Sequence, residues 1–339
     1  METIFCPANA EGIAHAARLL QQGQVFALPT ETVYGIAADA RNGAAVKKIF
    51  EAKGRPQDNP LIVHIADLSM LEGLVAQVPE RALLLAHAFW PGPLTVIMPR
   101  GPQVADECCA GLDTVGIRMP SHPVAQAVIR QSGCAFAAPS ANLSGSPSPT
   151  TTRDVLADMN GRLPLILDGG DCDVGVESTV ITVVGEKPML LRPGHITLEQ
   201  LEAALGEEVV LSHAIMEKLA EGEAAASPGM KYKHYAPKAN ITILEGSFTA
   251  FKAYVDAHAH ENPACLCFTG EEEALGVPCV AYGREGDGDD QAKHLFRSLR
   301  ALDEQGDRVV YARCPQKDGV AMAVYNRLVR AAGFRVVQL

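Results

Sequence analysis

The sequence lacks the long apolar runs of a membrane protein and the dense charge of a disordered chain. Charged residues make up 20% and hydrophobic residues 47% of the 339 positions, a balance typical of globular proteins. No uncharged apolar stretch reaches the ~18 residues of a membrane helix without a glycine or proline. The N-terminal stretch METIFCPANAEG has no signal-peptide pattern. We therefore predict a cytoplasmic protein with no membrane partner.

Paired cysteines and the common ligand motifs are also missing. The nine cysteines contain no C-x-x-C pair, which favours reduced thiols over a disulfide scaffold. The sequence has no Walker A loop, no G-x-G-x-x-G after a strand, no H-E-x-x-H and no G-x-S-x-G. Nothing therefore supports P-loop, dinucleotide-binding, zinc-protease or α/β-hydrolase chemistry, and no residue is predicted to bind a metal directly.

The sequence has fewer basic residues than acidic ones. Lysine and arginine together number 29 against 40 acidic residues, so the formal charge is −11. Proteins that bind nucleic acids broadly rely on lysine and arginine contacts to phosphates. The composition therefore argues against a general nucleic-acid binder, although one local basic pocket could still hold a phosphate ligand.

Patterning along the chain predicts an α/β protein with two domains, as its length also favours. Residues 1–205 alternate short buried strands with helices, and we expect a twisted mixed sheet there. Residues 206–238 have no apolar periodicity and are interpreted as an interdomain linker, although they are unusually aromatic and basic. Strands and helices alternate regularly over 239–339, which predicts a smaller parallel, Rossmann-like α/β domain.

Polar side chains follow several predicted strands, where α/β proteins place their sites. The four clusters are PTETVYG (29–35), KGRPQDNP (53–60), PSANLSGSPSPT (139–150) and a split set of Arg118, Ser178, Thr179 and Arg192. In the second cluster, Lys53 and Arg55 flank a glycine on a proline-stiffened loop, and two cations on a stiff loop suit a polyphosphate. In the third, hydroxyls, an amide and free backbone N–H groups suit an anion or a ribose.

Each cluster also has a purely structural interpretation. PTETVYG could cap a helix, Lys53 could complement a helix dipole, and the third cluster could be an ordinary Ser/Pro surface loop. His64 could be a core histidine. No cluster offers a Ser–His–Asp or Cys–His set. Taken together, the residues predict a cation- and hydroxyl-rich site without a covalent nucleophile, which fits phosphoryl or nucleotidyl transfer.

These motifs occur in the order seen in a known family. The matching stretches are PTETVYG, KGRP-x-x-NPL, WPGPLT, VGIRMP, PSAN-x-SG, ESTV and LRPG, which together span about residues 9–200. With SPGMKYKHYAPK downstream, the chain resembles the two-domain branch of the Sua5/YrdC/YwlC family, the threonylcarbamoyl-AMP synthases. The resemblance implies a YrdC-like catalytic domain over 1–205, a linker or lid over 206–238 and a Sua5 C-terminal domain over 239–339.

The resemblance also implies a nucleotidyltransferase reaction. L-Threonine, bicarbonate or CO2, and ATP would give L-threonylcarbamoyl-adenylate and pyrophosphate, with Mg2+ accompanying ATP. A separate tRNA threonylcarbamoyl transferase complex would then use the product to make t6A at position 37 of tRNA. Given the charge of −11, direct tRNA binding is expected to be weak or absent.

Site residues follow from the same resemblance. Lys53 and Arg55 would be catalytic and would stabilise the reacting phosphorus. The residues implied for L-threonine are Thr32, His64, Arg118, the backbone at Ala138, and Ser178. Those implied for ATP are Lys53, Arg55, Asn59, Thr114, Ser140, Asn142, Ser148, Arg192 and Tyr232, with Tyr235 as the substitute if the register slips.

Two other functions remain open at this point. A carbamoyl-adenylate-forming enzyme would share this kind of domain, as hydrogenase-maturation proteins do, but their zinc-finger and acylphosphatase modules are missing here. The non-enzymatic alternative is an RNA-binding or ribosome-assembly module, against which the acidic charge argues. Threonine-dependent ATP–pyrophosphate exchange separates the three.

Overall fold

Two units, each built around its own β-sheet, make up the described chain. The structure is a computed structural model that describes residues 2–57, 59–217, 237–306 and 309–339. The first unit holds the residues before the undescribed stretch at 218–236, except for the short loops Gly145–Pro147 and Val174–Val176, which group with the second unit. The predicted α/β class is confirmed, with a large mixed sheet and a smaller all-parallel one.

The first unit is an eleven-stranded mixed sheet with helices packed against it. Its strands and helices are β1 (Ile4–Pro7), α1 (Ala10–Gln21), β2 (Phe26–Leu28), β3 (Gly35–Asp39), α2 (Gly43–Lys53), β4 (Ile62–His64), α3 (Glu80–Phe89), β5 (Leu94–Pro99), α4 (Asp106–Cys109), β6 (Thr114–Arg118), α5 (Pro123–Ser132), β7 (Phe136–Ala137), α6 (Thr152–Met159), β8 (Leu165–Asp168), β9 (Thr179–Thr182), β10 (Met189–Arg192), α7 (Leu198–Leu205) and β11 (Val210–Leu211). The strands lie in the order β1-β8-β2-β3-β7-β4-β6-β5-β9-β10-β11. Short 3-10 turns occur at Leu68–Leu71 and His213–Ile215.

Local sequence signals explain where the helices begin and end. Thr151 caps α6 through a reciprocal capping box with Asp154, as the hydroxyl-rich loop before it predicts. Helix α2 ends at Gly54, whose backbone is left-handed (φ 61°), and this turns the chain into the KGRP loop. Helix α5 starts with a proline and ends before Gly133, which is also left-handed. These boundaries set the starting points of the polar loops.

The core of the first unit lies between one face of the sheet and helices α1 and α5. Leu20, Phe26, Ile129 and Phe136 are fully buried in one apolar cluster there. Burying side chains of this size contributes about 1.5–3 kcal/mol each. This packing holds the central strands rigidly, so that side chains at their ends keep fixed positions.

The second unit alternates strands and helices, as the pattern predicts. Its elements are β12 (Asn240–Glu245), α8 (Phe248–Ala257), β13 (Ala264–Cys267), β14 (Cys279–Ala281), α9 (Gly288–Glu304), β15 (Val309–Arg313), α10 (Ala321–Ala331) and β16 (Val336–Gln338), with 3-10 turns at Ala259–Glu261 and Glu272–Ala274. The strands are all parallel, in the order β14-β13-β15-β12-β16. Across the described residues of both units, no helix is long and apolar enough to cross a membrane.

Gly194 allows two loops of the first unit to pack closely. The chain bends after β10, and a Cβ built on Gly194 would lie 2.3 Å from the backbone nitrogen of Thr179 and 2.8 Å from the carbonyl carbon of Ser178. Real Cβ atoms do not approach backbone this closely. The hydroxyl of Thr179 adds a 2.6 Å bond to the carbonyl of Ile196, which ties the same loops together.

We expect Gly194→Ala to lower the free energy of unfolding by about 1–3 kcal/mol, because the added methyl group must displace backbone rather than a flexible side chain. Urea unfolding measures the change. Val184→Ala is the control, since Val184 is 41% exposed and truncating it removes little burial. An unfolding midpoint for Gly194→Ala equal to that of the control would contradict this account of the glycine.

Candidate active site

The strand order brings side chains from distant segments together where strands β4 and β6 end and strands β5 and β9 begin. We refer to this place as the Arg118 edge of the sheet. In the β4–β6–β5 register, Arg118 at the end of β6 lies between His64, at the end of β4, and Thr95 on β5. Strand β5 pairs with β9, so Ser178, which immediately precedes β9, reaches the same edge. Paired residues on neighbouring strands point to the same face. Three predicted threonine-side residues therefore converge here.

Arg118 forms a buried ion pair at this edge. Its Nη2 lies 2.7 Å from Oε1 of Glu31, and the two side chains are 5% and 7% exposed. Its Nη1 donates to the hydroxyl of Thr32 at 2.9 Å. Thr30 shapes the loop that carries these residues by donating its hydroxyl to the carbonyl of Val33 at 2.6 Å. The ion pair and the loop thus hold the guanidinium in one orientation.

Charge on Glu31 is maintained despite burial. Burial by itself raises the pKa of the Glu31 carboxyl, but the Arg118 charge and the contacts to it more than offset this, so the pKa lies below its usual value. The sequence prediction assigned no site role to Glu31. A threonine-flanked acid in a strand-end loop is a weak signal by itself, because the partner that keeps it charged lies 87 positions away in sequence.

His64 is a buried, neutral side chain. Burial, and then the positive charge of Arg118, lower the pKa of His64 to about 3. Its ring stacks on Phe136 with the ring centroids 5.2 Å apart. Its Nδ1 lies 3.1 Å from the carbonyl oxygen of Ile62. At neutral pH this imidazole acts as a hydrogen-bonding group rather than as a cation.

A chain of hydroxyls continues from this edge to β10. The hydroxyls of Thr95 and Ser178 are 2.8 Å apart. Arg192 donates from Nε to the carbonyl of Ser178 at 3.0 Å and from Nη2 to its hydroxyl at 3.1 Å. Arg192 is only 6% exposed, so the structure brings a second buried guanidinium beside the threonine-side residues. The sequence prediction assigned no role to Thr95, although WPGPLT contains it.

Lys53 anchors the PSAN loop. Its ammonium donates to the carbonyls of Ser140 and Asn142, the latter at 2.7 Å, and lies 3.3 Å from the side-chain oxygen of Asn142. The same loop is tied to PTETVYG because the N–H of Ala141 bonds the carbonyl of Tyr34 at 2.8 Å. Three of the four predicted clusters therefore meet in one place.

Arg55 and Asn59 lie on the KGRP loop that follows. Nη2 of Arg55 is 3.5 Å from the carbonyl of Asn59, and its guanidinium lies 6.0 Å from the ring centre of Phe50. Asn59 is fully buried, and neither of its amide atoms has a hydrogen-bond partner within the described chain. Buried polar atoms without partners are costly, so this amide is available to a ligand.

The remaining residues predicted to bind ATP lie at different ends of the strands. Ser148 is buried near the threonine-side edge and donates its hydroxyl to Glu177. Thr114 lies at the opposite end of β6 from Arg118, about 13 Å away at ~3.3 Å per residue. Ala138 lies between these ends, because its N–H bonds the carbonyl of Ile62. Tyr232 and Tyr235 lie outside the described residues.

A small, mostly apolar cleft of about 10 Å³, room for a single water molecule, lies on this face of the sheet between the two ends. Its walls are Pro60, Leu61, Ile62, Thr95, Ile97, Leu112, Thr114, Gly116 and Val180. Gly116 lies between Thr114 and Arg118 on the same face of β6, and a Cβ there would sit 3.1 Å from Cγ2 of Thr95. The missing side chain therefore keeps the floor of the cleft open.

The arrangement can neutralise negative charge without a bound metal. Buried or half-buried cations come from Lys53, Arg55, Arg118 and Arg192, with hydroxyls and amides between them. Among residues 2–57, 59–217, 237–306 and 309–339, no group of three or more His, Cys, Asp or Glu side chains could hold a metal ion. Fixed donors of this kind stabilise charge that develops on phosphate or carboxylate oxygens.

We expect the low pKa of His64, about 3 against 6.5 when unfolded, to make the protein sensitive to mild acid. The unfolded chain takes up a proton here first, so the free energy of unfolding falls as the pH drops from 6.5 towards 3, by at most about 1.4 kcal/mol per unit. In His64→Gln, which cannot titrate, the fall between pH 7 and pH 5 should be smaller by up to about 2 kcal/mol. Urea unfolding at both values measures it, and equal slopes for the two proteins would contradict the assignment.

Comparison with known proteins agrees with the motif pattern. A Sua5–YciO–YrdC family model, described as telomere recombination, matches residues 18–194. A second model, described as the threonylcarbamoyl-AMP synthase C-terminal domain, matches residues 196–333. The two matches follow each other along the chain with one residue between them.

Relatives extend the similarity over nearly the whole chain. The threonylcarbamoyl-AMP synthase of Bacillus subtilis is 47% identical and covers 97% of this chain and 95% of its own. That of Pyrococcus abyssi is 41% identical and covers 96% and 95%. The crystal structure of P. abyssi Sua5 complexed with L-threonine has a TM-score of 0.91 at 39% identity, covering 100% of this chain and 99% of that one. The resemblance read from the motifs is thus confirmed, and the chain belongs to the two-domain branch of the Sua5/YrdC/YwlC family.

Proposed function

We propose that this protein is a threonylcarbamoyl-AMP synthase, a nucleotidyltransferase that makes L-threonylcarbamoyl-adenylate and pyrophosphate from L-threonine, bicarbonate or CO2, and ATP. Near full-length relatives carry that name. The observation in the structure that carries the proposal is the buried Arg118 guanidinium, set among hydroxyls at the Arg118 edge of the sheet. A carboxylate and a hydroxyl on one small molecule match that arrangement.

The threonine end is assigned to the sheet edge around Arg118. Its guanidinium would pair with the substrate carboxylate, while the hydroxyls of Thr32 and Ser178 and the neutral imidazole of His64 would surround the substrate hydroxyl. The backbone at Ala138 completes this group. A site built to bond a substrate hydroxyl rejects valine strongly, whereas it excludes serine only through weaker contacts to the methyl group.

The ATP end is assigned to the far end of the strands and to the polar loops. The base is assigned to the Thr114 end of the strands, where the unpartnered amide of Asn59 offers a donor and an acceptor close by. The side chains proposed for the sugar and phosphates are Lys53, Arg55, Ser140, Asn142, Ser148 and Arg192. The roughly 13 Å between Thr114 and Arg118 suits a base and an amino acid held at the two ends of one adenylate.

Two steps divide the work among these residues. The threonine nitrogen attacks the carbon donor, and an oxygen of the resulting carbamate then attacks the α-phosphorus and displaces pyrophosphate. We assign Arg55 to the charge that develops on the phosphate oxygens. Because Lys53 donates to two loop carbonyls, we assign it both a share of that charge and the positioning of Ser140 and Asn142. Orientation and charge neutralisation carry the catalysis.

Magnesium is proposed as part of the substrate, MgATP. Bound to the triphosphate, Mg2+ supplies positive charge that makes pyrophosphate a better leaving group. The chain's own contribution is the cationic and hydroxyl-rich lining described above.

The downstream partner is proposed from the family resemblance, whereas the weak tRNA contact and the compartment are inferred from the charge and the cysteines. We infer that a separate tRNA threonylcarbamoyl transferase complex consumes the product to form t6A at position 37, and that direct contact with tRNA is weak, because the net charge is −11. The nine cysteines are all free thiols, which fits a reducing cytoplasm.

Mixing the protein with MgATP, L-threonine and bicarbonate should yield a threonylcarbamoyl-adenylate detectable by mass spectrometry. Arg55→Ala should lower its formation by about 100-fold or more, because a charge-stabilising donor is lost. Arg41→Ala is the matched control, since its guanidinium is 41% exposed and forms an ion pair with Asp39 outside the proposed site. Adenylate that forms only with carbamoyl phosphate would favour carbamoyl-adenylate chemistry, and no adenylate from any donor would refute the proposal.

A further inference from the structure

Unused bonding capacity remains in the buried pair of Glu31 and Arg118. Glu31 contacts Nη2 of Arg118 at 2.7 Å, whereas Nε of Arg118 has no hydrogen-bond partner in the described chain. Both residues are more than nine-tenths buried. Buried charges need hydrogen bonds as well as a counter-ion, so this pair is prepared for a further partner.

The remaining donor of Arg118 indicates the kind of partner. Thr32 occupies Nη1 and Glu31 contacts Nη2, which leaves Nε as the nitrogen that can donate to a substrate carboxylate. Glu31 lies directly beside the same guanidinium. An α-amino acid carries its ammonium on the carbon next to its carboxylate. A carboxylate seated on Arg118 therefore brings an ammonium to within a few ångströms of a negative group on the protein.

We propose that Glu31 binds the ammonium group of the amino-acid substrate and accepts its proton, which frees the amine to attack the carbon donor. The inference rests on the proposed function, because it takes L-threonine as the occupant of the Arg118 site. It makes Glu31 a catalytic residue that touches the nucleophile. The pocket then recognises both charges of the zwitterion, with Arg118 for one and Glu31 for the other.

The proton balance of this step is closed. Glu31 in its carboxylate form takes one proton from the ammonium, which leaves the amine with its lone pair. With bicarbonate as donor, the amine nitrogen forms a bond to carbon and one oxygen leaves as water, which gives the carbamate. Glu31 then returns its proton to solvent, so each cycle releases one proton and leaves the residue ionised.

Substrate binding itself would make Glu31 a better base. In the unliganded protein Arg118 holds the pKa of Glu31 below its usual value against the effect of burial. A substrate carboxylate on Arg118 neutralises that cation, so burial then acts on Glu31 with less opposition and raises its pKa. The carboxyl therefore gains proton affinity only when the ammonium is beside it. Free enzyme keeps the group ionised and ready to bind.

The test compares two ligands that differ only in the amino group. Calorimetry at about pH 7.5 measures binding of L-threonine and of (R)-3-hydroxybutyrate, which keeps the carboxylate, hydroxyl and methyl group. The wild-type protein should bind L-threonine about tenfold or more tightly than the analogue, because only L-threonine uses Glu31. Glu31→Gln should weaken L-threonine by about tenfold or more and leave the analogue as tight or tighter, since a competing anion is gone.

Turnover supplies a second readout. At saturating L-threonine, Glu31→Gln should release pyrophosphate about 100-fold more slowly, because the proton acceptor is missing even when the substrate is bound. Arg41→Ala should behave as wild type in both measurements, and circular dichroism checks that Glu31→Gln is folded. Should Glu31→Gln fail to fold, the comparison of the two ligands on wild-type protein still decides.

The outcomes separate this inference from the proposed function. Equal affinity of wild-type protein for the two ligands overturns the inference while leaving an amino-acid site in place. Equal weakening of both ligands in Glu31→Gln also overturns it, since Glu31 would then only orient Arg118. If wild-type protein binds neither ligand, the threonine site assigned around Arg118 fails, and this inference fails with it.

Discussion

A buried arginine that must be neutralised organises the site. Arg118 reaches the end of β6 with almost no solvent contact, and Glu31 and Thr32 supply a negative charge and a hydroxyl within 3 Å. Removing two charges from water is expensive, and the attraction between them only partly offsets the cost. The protein tolerates such a pair where a third participant completes its bonding. The position of that pair is therefore where we propose that an amino acid is held, with the loops of the other clusters around it.

Strand order explains how this pair acquires its neighbours. Strands β4 and β6 end at the edge where β5 and β9 begin, so His64, Arg118 and the Thr95–Ser178 hydroxyl pair meet although they span more than a hundred positions of sequence. Thr114 lies at the opposite end of β6 from Arg118, and that end of the strands is less charged. One sheet face thus presents a polar end around Arg118 and a more apolar end near Thr114.

Much of the fold and part of the site were accessible from the sequence. The alternation of short apolar strands with helices predicted the α/β class and the parallel sheet of the second unit. Residue types in the polar loops indicated an anion site, but assignment to threonine or ATP came from the family resemblance. Glu31 and Thr95 were not predicted as site residues, because their roles depend on partners that are distant in sequence. The sequence also could not show that the Lys53 ammonium donates to loop carbonyls, because every residue type has a backbone carbonyl.

That anchoring by carbonyl groups has a consequence for how the loop can vary between related enzymes. Every amino acid supplies a carbonyl, so substitutions at Ala141 or Leu143 leave the acceptors of the Lys53 ammonium in place. Asn142 is different, because its side-chain oxygen also lies near the same ammonium and accepts a bond from Ser140. Sequence variation in this segment should therefore be uneven, with the lysine and the asparagine changing together, Ala141 limited to small residues by its complete burial, and Leu143 varying more freely.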